Sequence, residues 1–278
     1  VLEHPEAALL TALGLHALQH RGQEACGIAT FDGKLFHNER HPGLVGDAFG
    51  GPDMRGRLPG HMSIGHNRYS TSGRMAPRNI QPIFADLATG GFAMAHNGNL
   101  TNARALRAEL VESGSIFQST MDTEVILQLI ARSERGSLVD RMVDAIRRIE
   151  GGYAVVGLTE NALIGVRDPI GLRPLVLGKL GKAYILASET CALDIIGADL
   201  IREVENGEMV IITEAGVESI RPFPSRPPRP CVFEYVYFAR PDSIVQGRSV
   251  YEVRRRMGRQ LAVETGVEAD VIVPVPDS

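Results

Sequence analysis

Residues 221–230 carry five prolines in ten positions, and this run constrains the fold of the chain more than any other feature. Proline lacks the N–H group that helices and central strands need, so such a run favours a stiff, extended connector. It divides the 278 residues into a long part, 1–220, and a short part, 231–278. The short part is too small to bury a core of its own. We therefore predict a domain over 1–220, a connector over 221–230, and the incomplete start of a second domain over 231–278.

The predicted elements of the first part come as strands, then helices, then strands again. After a first helix over 5–18, short apolar runs between turn residues predict strands at 27–31, 34–37, 62–69 and 92–96. Helical spacing then predicts helices at 102–111, 123–133 and 137–149. Further strands are predicted at 153–158, 162–167, 183–187 and 208–212. This grouping is typical of the α+β class, in which helices cover mostly antiparallel sheets.

Beyond the proline run, the pattern predicts a strand over 233–238, a helix over 250–265 and a buried strand over 271–273. This β–α–β order is the beginning of a further α/β unit. The chain starts at Val1 rather than Met and stops at Ser278, directly behind an apolar run. Chain ends are normally polar and dispensable, so we expect a fragment of a longer protein.

Composition excludes several function classes. The chain has 29 basic and 33 acidic residues, a net charge of −4, which gives no overall field to attract a nucleic acid. It contains no apolar run near the roughly 20 residues that span a bilayer, so we expect no membrane partner and a cytoplasmic location. Three widely spaced cysteines fit a reducing compartment.

The segment with the most chemical content is Asn97-Gly98-Asn99, which follows the predicted strand 92–96. Asn tolerates left-handed backbone and Gly has no Cβ, so a sharp turn here can present a side-chain amide and a backbone N–H in one direction. Two convergent donors make an oxyanion hole, which stabilises the negative charge of a tetrahedral intermediate. The alternative interpretation is an ordinary hairpin turn, for which Asn-Gly is the commonest pair.

Arg68 and Asp122 are candidate ligands for a small zwitterion. Strand alternation places His66 and Arg68 on one face of the strand, and a guanidinium there can bind a carboxylate through two parallel hydrogen bonds. Asp122 precedes a predicted helix and can bind an ammonium group. Together the two side chains would hold both ends of an α-amino acid. The alternatives are a surface salt bridge for Arg68 and a helix cap for Asp122.

The cysteines offer no clear nucleophile for such a site. Cys26 and Cys191 lie in apolar surroundings and are predicted to be buried structural residues. Cys231 follows the proline run, but it has no neighbouring cysteine at a metal-ligand spacing. The histidines show no zinc-binding spacing either.

Four segments closely resemble one enzyme family, the amidophosphoribosyltransferases. They are His16-Ala-Leu-Gln-His-Arg-Gly-Gln-Glu24, Gly65-His-Asn-Arg-Tyr-Ser-Thr71, Ala95-His-Asn-Gly-Asn-Leu100 and the stretch from Phe233 to Ser243. Class II glutamine amidotransferases share the first two more loosely, whereas the last is specific to this family. The resemblance implies an N-terminal nucleophile hydrolase domain, an αββα sandwich, followed by the start of an α/β phosphoribosyltransferase domain.

The resemblance also implies a reaction. Members hydrolyse glutamine at an N-terminal Cys and pass the ammonia to phosphoribosyl pyrophosphate, which gives 5-phosphoribosylamine, glutamate and pyrophosphate at the start of purine synthesis. By resemblance Asn97 and Gly98 form the oxyanion hole, Arg68 binds the glutamine carboxylate, Asp122 binds its ammonium group, and Thr71 lines the pocket. A homo-oligomer with feedback by purine nucleotides is a further implication.

The chain departs from the family pattern at both ends. The family's initial Cys-Gly-Val-Phe-Gly is absent before Val1, so we expect this chain to bind glutamine poorly and not to hydrolyse it. Ser278 matches a position that the family assigns to Mg²⁺, and Cys231 matches the first ligand of a [4Fe–4S] cluster in some members.

Two alternatives stay open. One is a non-catalytic partner that kept the sandwich for assembly. The other is a different class II amidotransferase, such as the glucosamine-phosphate or asparagine enzymes, although these do not share the segment 233–243.

Overall fold

The computed structural model describes residues 1–51, 53–69, 76–224 and 226–274. Its helices are α1 (Ala7–Ala17), α2 (Val45–Phe49), α3 (Met54–Arg57), α4 (Ala103–Glu112), α5 (Thr123–Arg132), α6 (Leu138–Ile146), α7 (Cys191–Asp194) and α8 (Val250–Thr265). Its strands are β1 (Ala25–Phe31), β2 (Phe36–Pro42), β3 (Met62–Arg68), β4 (Ile83–Leu87), β5 (Gly90–Leu100), β6 (Gly151–Leu158), β7 (Leu163–Arg167), β8 (Val176–Leu180), β9 (Ala183–Ala187), β10 (Asp199–Glu203), β11 (Met209–Thr213), β12 (Gly216–Ile220), β13 (Ile244–Val245) and β14 (Arg248–Ser249). Short 3₁₀ turns cover Gln19–Arg21 and Pro77–Asn79.

The first sheet forms from two groups of antiparallel strands, β2-β1-β3 and β10-β8-β9. Leu2 joins them, because it pairs with Met62 at the edge of β3 and with Tyr184 at the edge of β9. The N–H of Leu2 donates to the carbonyl of Tyr184 at 2.9 Å. A single residue at the start of the chain thus makes one continuous layer out of both groups.

The second sheet has the antiparallel strand order β12-β11-β7-β6-β5-β4. Side chains alternate along β5: Phe92 and Met94 belong to the cluster under α4, α5 and α6, whereas Ala93 packs between the sheets with Leu2 and Ile64. Helix α1 covers the outer face of the first sheet, where Leu10 packs with residues of β8 and β9. The layers are therefore helices, sheet, sheet and helices, and the predicted αββα sandwich is confirmed.

The structure corrects the prediction for β5. The strand does not end at Asn97 but runs on to Leu100, which pairs with Gly151 of β6. The local turn tendency of Asn97-Gly98 gives way because β6 offers hydrogen-bond partners along the whole length.

The predicted strand over 233–238 is also wrong. Glu234–Phe238 forms a π-helical turn, and Glu234 is buried against the guanidinium groups of Arg21 and Arg173. Residues 271–273, which were predicted as a buried strand, form no strand and are exposed, because no strand of the described residues lies beside them. Helix α8 forms as predicted, and Ser249 caps its start by accepting from the N–H of Glu252. The division of the chain at 221–230 stays a prediction.

Among the described residues, no helix is long and apolar enough to cross a membrane.

Candidate active site

The ends of β3 and β5, the start of α5 and the π-helical turn line a small cavity of about 80 Å³, here called the polar cavity. Its lining residues are Arg21, His66, Asn67, Arg68, Tyr69, Gln81, His96, Asn97, Gly98, Met121, Asp122, Arg173 and Phe238. It therefore brings together four of the residues selected from the sequence, namely Arg68, Asn97, Gly98 and Asp122. Thr71 and Ser278, also selected, lie outside the described residues.

Asn97 and Gly98 sit where β5 pairs with β6, opposite Ala154 and Tyr153. The buried Nδ2 of Asn97 has no hydrogen-bond partner within the described residues. Gly98 has a φ of +147°, and a Cβ added to it would lie 2.1 Å from the carbonyl oxygen of Gly152. Only glycine fits this position, so the backbone conformation beside the free amide is fixed by the sequence.

Arg68 ends β3 and is buried, with 5% of its surface exposed. Its Nη1 donates to the carbonyl of Asn79 at 2.6 Å, and its Nε lies 3.9 Å from a carboxylate oxygen of Glu24. The alternative of a surface salt bridge is wrong, because the side chain is inside the molecule. A guanidinium held in this way is oriented before any ligand arrives.

Asp122 precedes α5 but does not cap it, since its side chain makes no hydrogen bond to the first turn of the helix. Instead its Oδ2 accepts from the N–H of Leu100 at 3.0 Å, and its Oδ1 lies 3.7 Å from Nδ1 of His96. The carboxylate is thereby fixed to the end of β5. The polar cavity then has an anionic group in one wall and a cationic group, Arg68, in another.

Two histidines of the polar cavity, the buried His96 and the half-buried His66, are neutral at neutral pH. Burial, reinforced by the charge of Arg68, lowers the pKa of His66 to about 4. Burial also lowers the pKa of His96, although the charge of Asp122 opposes this shift. Gln81 holds the backbone at His96 in place, because its Oε1 accepts from the N–H of His96 at 2.8 Å. The histidines therefore add hydrogen-bonding atoms but no charge at neutral pH.

Sequence reasoning assigned no role to Arg21, Arg173 or Phe238, which complete the walls. The guanidinium of Arg21 lies over the ring of Phe238, 4.6 Å from its centre. Arg21 also donates to Glu189 and to Glu234, both buried. The signal that could have found Arg21 and Phe238 is their place in the motifs His16–Glu24 and Phe233–Ser243, whereas Arg173 is brought in only by the tertiary fold.

A second, larger cavity of about 130 Å³, here called the apolar cavity, lies beside the polar one, between α1 and the sheets. Val1 lines it, together with Leu10, Leu15 and Ile185. Both cavities are lined by Arg21, His66, Asn67, His96 and Asn97. The first residue of the chain therefore lies in the cavity that adjoins the free amide of Asn97.

The cysteines lie away from this chemistry, as predicted for two of them. Cys26 and Cys191 are buried, line neither cavity, and have pKa values that burial raises to about 11. Cys231 is partly exposed, and the two other cysteines do not gather around it. Within the described ranges, no three His, Cys, Asp or Glu side chains come together as metal ligands. These residues alone do not fit an iron–sulfur cluster.

The geometry can be compared with known proteins. A family model described as a glutamine amidotransferase domain matches residues 66–194. The amidophosphoribosyltransferase of Rhizobium etli is 58% identical over 282 residues, which covers all of this chain and 57% of that protein. The enzyme of the same name from Bacillus subtilis is 45% identical and is covered to 58%.

A solved structure of glutamine phosphoribosylpyrophosphate amidotransferase from Bacillus subtilis, complexed with ADP and GMP, superposes with a TM-score of 0.94. It is 44% identical to this chain, which is covered completely and spans 60% of that protein. The fold, the polar cavity and the family match define a class II glutamine amidotransferase domain. Within that class, the chain is similar to amidophosphoribosyltransferases over its whole length. It spans between half and two thirds of the length of the relatives named here.

Proposed function

We propose that this chain supplies the glutamine-hydrolysing part of an amidophosphoribosyltransferase. The full enzyme would convert glutamine, phosphoribosyl pyrophosphate and water into 5-phosphoribosylamine, glutamate and pyrophosphate, at the start of purine synthesis. The single observation that carries the proposal is that Arg68, Asn97, Gly98 and Asp122 line one cavity. Relatives named for this reaction match the chain over its whole length.

In the proposed complex, the two charged walls of the polar cavity hold the two charged groups on the α-carbon of glutamine. Arg68 binds the α-carboxylate through its guanidinium, and Asp122 binds the α-ammonium group. The side-chain amide of the substrate then points toward Asn97 and Gly98. Two fixed anchors convert attack on the amide into a step with little remaining orientational freedom.

Asn97 and Gly98 stabilise the tetrahedral intermediate. The unpartnered Nδ2 of Asn97 and the N–H of Gly98 donate to the oxygen that becomes negative when a thiolate attacks the amide carbon. Ammonia leaves as the intermediate collapses to a thioester, and water then releases glutamate. Removal of one such donor typically lowers the rate by about 10²–10³.

The position of Val1 indicates where the nucleophile of the full enzyme would enter. The buried amine of Val1 donates to the carbonyl of Ser63 at 2.8 Å, and Leu2 pairs with Met62. If a Cys-Gly-Val-Phe-Gly segment continued this antiparallel register along β3, its Cys would come opposite Arg68. A thiol there would border the polar cavity.

The test is glutamate release by the full-length protein that carries Cys-Gly-Val-Phe-Gly before Val1. Asn97→Ala should mainly lower kcat, by about 10²–10³. Arg68→Ala should mainly raise KM, because the guanidinium binds ground and transition states alike. Asn161→Ala, in an exposed turn, is the matched control. Unchanged turnover in both active-site variants would contradict the assignment.

Several further properties belong to the proposal through the family alone. They are a Mg²⁺ site that includes Ser278, a possible cluster ligand at Cys231, assembly as a homo-oligomer, a cytoplasmic location and the absence of nucleic-acid or membrane partners. Metal analysis, sedimentation and fractionation of the full-length protein test these properties separately.

A further inference from the structure

Asn79 connects the two oppositely charged walls of the polar cavity. Its backbone carbonyl accepts from Nη1 of Arg68 at 2.6 Å. Its side chain makes two bonds to Thr120: Nδ2 donates to Oγ1 at 2.9 Å, and Oδ1 accepts from the N–H at 3.0 Å. Thr120 lies two residues before Asp122. One residue thus contacts the cationic wall through its backbone and the approach to the anionic wall through its side chain.

Hydrogen bonds other than those of Asn79 also hold the segment that leads to Asp122. Glu124 accepts from the N–H groups of Gln118 and Ser119, each at 2.7 Å. Arg107 donates to the carbonyl of Ser119 at 3.0 Å. Asn79 is only 1% exposed, so water does not compete for its amide. A shift of Asn79 would therefore move Arg68 relative to a segment that other hydrogen bonds hold in place.

We propose that Asn79 is a positioning residue that sets the spacing between Arg68 and Asp122, and thereby selects ligands carrying an ammonium and a carboxylate on one carbon. This inference rests on the proposed function, which takes those two side chains as the anchors of an α-amino acid. A ligand held at both ends needs both anchors in place at once, and a misplacement of about 1 Å is costly. A ligand that uses one anchor tolerates the same shift.

The experiment compares three ligands by calorimetry on the full-length protein with its N-terminal Cys replaced by Ala, so that bound glutamine is not hydrolysed: L-glutamine, an analogue without the α-amino group (glutaramic acid) and one without the α-carboxylate (4-aminobutanamide). Asn79→Ala should weaken glutamine binding about tenfold and each analogue less than about threefold. Asn102→Ala is the matched control. Its amide makes the same pair of bonds outside the cavity, to the carbonyl of Arg148 at 2.8 Å and the N–H of Glu150 at 3.0 Å. This control should leave all three affinities unchanged.

Thr120→Val provides a second variant at an exposed position, where folding is not at risk. It should weaken glutamine binding about threefold alone, because it removes only the bond from Nδ2 of Asn79. Added to Asn79→Ala it should weaken binding by less than about twofold more, because that variant has already lost this bond. Equal weakening of all three ligands in Asn79→Ala, or unchanged glutamine affinity in both variants, would overturn the inference. If the unsubstituted protein bound no glutamine, the proposed function itself would fail, and this inference with it.

Discussion

The carbonyl oxygen of Gly152 lies 2.1 Å from the point where a Cβ on Gly98 would have to sit. Gly98→Ala should therefore separate β5 from β6 beside Asn97. We expect a loss of about 2–5 kcal/mol in the free energy of unfolding, from backbone strain and overpacking together. Urea denaturation measures this loss, and activity of the full-length protein should fall with it. Gly181→Ala also replaces a glycine of positive φ, but no atom lies within 4 Å of its added Cβ, so it should cost only about 1 kcal/mol. Equal losses in the two variants would contradict the role given to Gly98.

Asp122→Asn removes the negative charge of the anionic wall but keeps the side-chain oxygen that accepts a hydrogen bond. The amide oxygen can still accept from the N–H of Leu100, so thermal stability should change little. The lost charge should raise KM for glutamine about 10–100-fold with a much smaller change in kcat. Asp140→Asn, on the exposed surface of α6, is the control and should leave both constants unchanged. A KM that stays within twofold of the unsubstituted value would remove Asp122 from the ammonium site.

Glu189 is a buried acceptor between the sandwich and the segment after the proline run. It accepts from Arg21, from Nε2 of His20 at 2.7 Å and from Oγ of Ser243 at 2.7 Å. Glu189→Gln should cost about 3 kcal/mol, because it leaves Arg21 without full compensation inside the molecule. Glu205→Gln breaks an exposed pair with Arg221 and should leave Tm nearly unchanged, because water screens that pair.

The pKa of Glu189 predicts how the stability of the protein changes at acid pH. Burial alone would raise the pKa of Glu189, but the hydrogen bond from His20 and the charge of Arg21 overcome it and lower the pKa to about 2. A carboxyl whose pKa is lower in the folded state stabilises above its ordinary value of 4.5 and loses that contribution as pH falls toward 2. Between pH 5 and 2, the free energy of unfolding should therefore depend less steeply on pH in Glu189→Gln than in the unsubstituted protein. Parallel curves would show that Glu189 does not titrate this way.

The pKa of His66 predicts how the stability of the protein changes between pH 6.5 and 4. Its pKa of about 4 lies below the ordinary value of 6.5, so the unfolded chain takes up this proton first. Stability that the neutral ring provides above pH 6.5 should be lost as pH falls toward 4. NMR of labelled histidine should show no protonation of His66 above pH 5, and His66→Gln should flatten the stability profile between pH 6.5 and 4. Titration near pH 6.5 would show that the ring is open to water.

Local sequence signals predicted the elements whose stability is local. Helix α5 follows from its apolar spacing, and its limits agree within one residue with the prediction over 123–133. The placement of His66 and Arg68 on one face of β3 and Asn67 on the other also follows from alternation. It is confirmed, because Asn67 donates to the carbonyl of Leu15 in α1, whereas His66 contacts the carbonyl of His96.

Structural features that depend on residues far apart in the sequence could not be predicted from local patterns. The continuation of β5 past Asn97 is decided by Gly151 and Gly152 of the neighbouring strand, and no local rule contains them. Strand β10 carries exposed side chains without clean alternation, so it was missed. Phe238 reaches the polar cavity only because Glu234 is drawn to Arg21, a contact between residues far apart in sequence.

The double pairing of Leu2 has a consequence for synthesis on the ribosome. Leu2 leaves the exit tunnel long before one of its partners, Tyr184, is translated. Until that partner emerges, β9 has not been made, and the edge of the β2-β1-β3 group on the side of Leu2 stays open to other chains. Folding should therefore finish late in translation, and nascent chains stopped before Tyr184 should need chaperones to stay free of aggregates.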